Sequence, residues 1–199
     1  MTHWACKLAG TRAHGSELEW LGPEGNRIRS TLGEGAVTWA VEVGEDIAAK
    51  ITQEIPPLGE GAPYFSALRR ATTSTTLRAL SLVSGVEDAD TSLASAEVVE
   101  IARDFANRGL ELNDLLRSTR VGYAVLAAAL LDAATRLAPS SDTSRELRAI
   151  SVLLFELLDD FTSVAAIAFV DEQSAWAASV SAARASRWLR RNPSRPAPT

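Results

Sequence analysis

The chain has 199 residues, 46% hydrophobic and 23% charged, a balance that suits a soluble globular protein with one substantial core. Its formal charge of -5 argues against an overall field that would draw it to nucleic acid or to an anionic membrane. With one cysteine, Cys6, and two histidines, His3 and His14, it can form no internal disulfide and no Cys/His zinc cluster, and a reducing cytoplasm fits it best.

Residues 1–30 carry Gly10, Gly15, Gly22, Pro23 and Gly25 among scattered single apolar residues, so no helix or strand face is sustained. Nor do a charged start, an apolar run and a small-residue cleavage site follow in order, so no secretory signal is visible. Residues 1–33 are expected to form a flexible tail. Thr31 followed by Glu34 suits a capping box, and Ala36, Trp39, Val43, Ile47 and Ile51 then recur at helical spacing until Pro56 and Pro57 stop the run. Pro63 suits a first helical turn, and Phe65, Leu68, Thr72, Thr75, Ala79 and Leu82 form a rather polar stripe that ends at Gly85. Thr91 or Ser92 can cap a third helix whose inner face is Ala94, Val98, Ile101 and Phe105, and Gly109 supplies a left-handed stop.

A fourth helix is expected from about Leu112 to Leu137, with Leu115, Thr119, Tyr123, Leu126 and Leu130 on one side, before Pro139, Ser140 and Ser141 break it. From Leu147 the spacing alternates three and four through Ile150, Leu154, Leu157, Phe161, Val164 and Ala168. Phe155, Leu158, Ala165 and Phe169 form a second stripe beside the first. Two stripes imply two buried faces. No proline interrupts before Pro193, so this is either one long helix to Arg191 or two helices joined near residues 171–174. Residues 192–199, NPSRPAPT, cannot continue a helix and suit a Pro-rich linker or frayed end. No segment requires a strand. The pattern defines an all-α fold of five to six helices, with a long C-terminal helix, over residues 34–191. Its longest apolar run, residues 121–131, falls far short of the roughly 20 residues of a membrane span.

Nucleophile and general-base chemistry most often uses a histidine, and residues 34–191 hold none. The same lack removes a proximal haem ligand and the Glu-x-x-His pattern of di-iron bundles. Glu156, Asp159 and Asp160 cluster, as do Glu97, Glu100 and Asp104. Such groups suit a carboxylate cation site or, more simply, solvated faces paired with Arg103, Arg108, Arg117 and Arg120. No catalytic residue, metal or cofactor is assigned, and the chain is expected not to be an enzyme. Arg184, Arg187, Arg190, Arg191 and Arg195 make a basic end that suits an acidic partner, nucleic acid, or the dipole of a helix C-terminus. Without a helix-turn-helix pattern, direct nucleic-acid binding by this segment is not expected. Tyr123, with hydroxyls from Thr72 and Thr76, can line a small-molecule pocket between helices; a core tyrosine with a satisfied hydroxyl is the alternative.

The succession ITQEIPPL, PYFSALRRATTSTTLRAL and AEVVEIARDFANRGLELNDLLRSTRVGYAVL resembles the N-terminal input domain of bacterial PucR/CdaR-type transcription regulators. That domain is named after the RsbR/RsbRD stress-signalling co-antagonists. The likeness spans about residues 37–191, and its most specific piece is Arg108, Gly109, Leu110, Leu112, Leu115, Leu116, Arg117, Arg120 and Gly122. A weaker echo runs from Asp171, Glu172 and Gln173 through Trp176 to Ala183 and Arg184. The resemblance implies a globin-like or bundle-like sensory and dimerisation module without haem, acting through a linked or partner output domain. The alternative is a stand-alone small-ligand-binding or stress-signalling scaffold of non-haem globin-like type.

The last helix carries more apolar surface than one neighbour can cover. If the helices around Phe65 and Leu112 take one stripe, the other is left for a symmetry mate, and a homodimer is expected. Its seam is expected to centre on Phe161 or Phe169, with Trp176 further along.

Overall fold

The computed structural model describes residues 4–12, 21–58, 62–86 and 96–191. Among the described residues six α-helices follow in order: α1 (Gly22–Leu32), α2 (Glu34–Glu54), α3 (Ala62–Val83), α4 (Ala96–Asn107), α5 (Leu112–Leu137) and α6 (Thr143–Arg191). Short 3-10 turns occupy Ala5–Lys7 and Pro56–Leu58, and no strand occurs among the described residues. The all-α class with a long last helix is thus the one observed.

α2 lies at the centre. Ala36, Val37, Ala40, Val43, Ile47 and Ile51 are all buried, on more than one face, because α1, α3 and α5 pack around it. Small residues set how closely these helices approach. The Thr72 hydroxyl on α3 donates to the Gly44 carbonyl on α2 at 2.7 Å, and a Cβ at Gly44 would stand 2.7 Å from Thr73 Cα. On α5, a Cβ at Gly122 would meet Ile47 Cγ2 at 3.1 Å.

Helix ends follow from backbone chemistry. Gly109 has φ +69°, its N–H donates to Ala106 O, and the Leu110 N–H reaches back to Phe105 O, which satisfies two carbonyls at the end of α4. α3 ends in the same way at Gly85, with Val86 donating to Ser81 O. Between α1 and α2 the break falls at Gly33, φ +94°, so Thr31 belongs to α1 and the expected capping box does not form. Thr91, Ser92 and Ala94, proposed at the start of the third helix, lie outside the described residues, as do His3, His14, Trp20 and residues 192–199.

The expected flexible tail over residues 1–33 needs correction where the chain is described. Residues 22–32 form α1, which buries Ile28 and Leu32, and Trp4, Ala5 and Leu8 join the core, with Trp4 only 1% exposed. Polar anchors hold this strap. Gly10 N–H donates to Thr38 Oγ1 at 3.2 Å, Thr11 Oγ1 to Glu42 Oε2 at 3.1 Å, and the Arg12 N–H to Glu42 Oε1. Burial raises the Glu42 carboxyl, but these donors outweigh it and hold it below the usual carboxylate range. At the far end, Trp4 Nε1 donates to Glu146 Oε2 on the first turn of α6, at 3.4 Å.

α6 is one continuous helix of 49 residues, about 74 Å long, with no joint near residues 171–174. α4 and α5 lie along its first part. Asn107 donates to Glu172 at 3.1 Å, which brings the end of α4 to the point where α6 leaves the body.

Candidate functional site

A cavity of about 50 Å³ lies among α2, α3, α4, α5 and α6, walled by Ile47, Leu68, Val98, Leu115, Leu126 and Phe161 among others. Four hydroxyl groups from Thr72, Thr75, Ser118 and Thr119 also line it. Each donates its proton to a backbone carbonyl: Thr72 to Gly44 as above, Thr75 to Ala71, and both Ser118 and Thr119 to Leu115. They therefore offer only lone pairs inward.

Tyr123 differs. It is 7% exposed, lines the same cavity, and its hydroxyl has no hydrogen-bond partner. Its ring meets Phe161 edge-on, with centroids 5.7 Å apart at 72°. Burial, and behind it the negative charge of Asp160, push the phenol up and keep it protonated. The site thus contains an unused donor in an apolar wall. Of the three residues proposed for a pocket, Thr72 and Tyr123 share this cavity. Thr76 is fully buried, donates to Thr72 O at 2.8 Å, and stands off the wall. Thr75, three residues from Thr72, takes the place assigned to it.

A second, more open groove of about 330 Å³ runs between α5 and α6, lined by Arg120, Ala124, Ala127, Leu131, Phe155 and Leu158. Tyr123 borders both spaces.

The candidate dimer residues separate in the structure. Phe169 is 2% exposed, already covered within its own chain, so it has almost no surface to offer a second copy. Phe161 is half-buried and belongs to the cavity wall. Trp176 alone of the three is open, at 66% exposure. α4 and α5, rather than the helix around Phe65, cover most of the two stripes, and Phe65 itself is exposed. The surface left uncovered holds Val152, Phe155, Ile167 and Val170, with Phe155 at 75% exposure.

The string around Gly109 packs helices. Arg108 lies over the Tyr64 ring at 3.9 Å, Leu115 is in the core, Arg117 pairs with Glu54 at 3.2 Å, and Gly122 gives α2 its close approach to α5. Of the acidic clusters, Glu156, Asp159 and Glu100 face solvent, and no group of three His, Cys, Asp or Glu arranged to hold a metal occurs among the described residues. No helix of the described residues is long and apolar enough to cross a membrane.

Fold and site together define a class: an all-helical module with a small apolar cavity and a C-terminal helix that outruns its body. More particularly, the chain belongs to the family described as the RsbT co-antagonist protein rsbRD N-terminal domain, a signalling-associated module, whose family model matches residues 41–184. Comparison with curated proteins and with solved structures gives no match. The matched stretch begins inside α2, so α1 and the Trp4 strap lie outside it.

Proposed function

We propose that the chain is a non-catalytic signal-input and dimerisation module of a bacterial transcriptional regulator, acting through a linked or partner output domain. The observation that carries this reading is the free part of α6. Every side chain from Gln173 to Ser179 is exposed, and of those described from there to Arg187 only Val180 is half-covered. In proteins most helical stability comes from packing of an apolar face, so a helix that leaves its own body calls for a neighbour. Trp176 is exposed on this free part, and Val152, Phe155, Ile167 and Val170 are exposed on the stretch of α6 before it; a second copy of α6 answers these with the same surface. Two arms paired in parallel would hold two output domains side by side, the arrangement that paired half-sites require.

Fusing the full chain ahead of a monomeric helix-turn-helix domain tests this reading. The fusion is expected to bind a two-half-site operator roughly tenfold or more tighter than the isolated output domain, because the second half-site is met at high effective concentration. Equal affinities would overturn it.

A further inference from the structure

We propose that the cavity bordered by Tyr123 is a binding site for a small, mainly apolar molecule carrying one carbonyl-type hydrogen-bond acceptor. Three features carry this. The walls are apolar apart from the hydroxyls of Thr72, Thr75, Ser118, Thr119 and Tyr123. The first four have spent their protons on backbone carbonyls. Tyr123, 93% buried by its 7% exposure, keeps a donor that no protein group takes up. A buried donor without a partner is costly; the Tyr123 oxygen is closed to a water-sized probe, so a ligand acceptor reaches it as the wall gives slightly, and the pairing then relieves that cost.

Size limits the ligand. A water-sized probe needs about 10–15 Å³ of such space, so the 50 Å³ here holds roughly three to five non-hydrogen atoms. Ionised ligands do not fit this chemistry: the lining holds no charged side chain to pair with them, and the Asp160 carboxylate, whose charge is felt at Tyr123, disfavours anions. The site stands on the interior of one chain, so its failure would leave the dimer and output reading untouched, and the reverse holds.

Acetone and isobutene form the matched pair of probes: they have the same shape, and only acetone carries an acceptor. Titrating each into the full chain, with the methyl signals of Ile47, Leu115 and Leu126 followed by NMR, is expected to give saturable shifts for both, with acetone bound more tightly. In Tyr123→Phe, acetone is expected to weaken about tenfold, the loss of one buried hydrogen bond, while isobutene stays within twofold. The variant removes an unpartnered hydroxyl, so it is expected to melt no lower than the wild type. Absence of saturable shifts at those methyls in the wild type would overturn the site, and equal weakening of both probes in Tyr123→Phe would overturn the role of its hydroxyl.

Discussion

Gly44→Ala is expected to lower the melting temperature, although helix propensity alone points the other way. Alanine in a helix interior is favoured over glycine by about 1 kcal/mol. Here the new Cβ would collide with Thr73 Oγ1 and stand 2.7 Å from Thr73 Cα and 2.8 Å from its amide nitrogen. Two of these three neighbours are backbone atoms and cannot rotate away, so α2 and α3 must separate, and the 2.7 Å hydrogen bond from Thr72 to the Gly44 carbonyl lengthens with them. Overpacking costs typically 1–3 kcal/mol, and a clash with backbone belongs at the upper end, so about 2 kcal/mol of net loss remains. For a chain of this size, that is a fall of roughly 4–8 °C in a thermal melt followed by circular dichroism. A rise in melting temperature would mean that the two helices are not packed at this distance.

The second large effect is expected from Trp4→Ala. Removing a fully buried tryptophan costs about 3–5 kcal/mol, through lost burial and the cavity left behind. The change also removes the donor to Glu146 on the first turn of α6. A melting temperature lower by roughly 10 °C is expected, even though Trp4 precedes the matched stretch 41–184 by more than thirty residues. A shift under 2 °C would show that the strap contributes nothing to the fold.

What the sequence disclosed follows from where its signals are local. α5 shows a sustained apolar stripe followed by Pro139, and its observed span, Leu112–Leu137, is the expected one. α4 likewise shows Val98 and Phe105 at helical spacing and a glycine stop. α1 is hidden because two glycines and a proline stand among few apolar residues. Its signal is the spacing of Leu21, Ile28 and Leu32, with Pro23 in the first turn, where proline suits a helix. Trp4 gives no periodic signal at all: it sits beside a three-residue turn, and only tertiary packing buries it.

The same limit explains the site. Periodicity in α6 shows that two faces are apolar but not which neighbour covers each. Phe169 is therefore indistinguishable from a dimer contact until its burial within the single chain is seen. In α3 the alcohol-rich face is legible, but Thr72, Thr73 and Thr76 are turned inward where α3 meets α2, while Thr72 and Thr75 reach the cavity. An orphaned hydroxyl such as that of Tyr123 leaves no mark in a sequence, because its environment comes from five helices spread along the chain.

Pairing of two copies through the exposed stripe of α6 doubles the molar mass in solution. Light scattering on the full chain at tens of micromolar, where even roughly micromolar pairing would be visible, is expected to give twice the 21.2 kDa of one chain. Phe155→Asp, which places a charge on that stripe without touching the core, is expected to return the mass to 21.2 kDa. A wild-type mass of 21.2 kDa at that concentration would contradict the account.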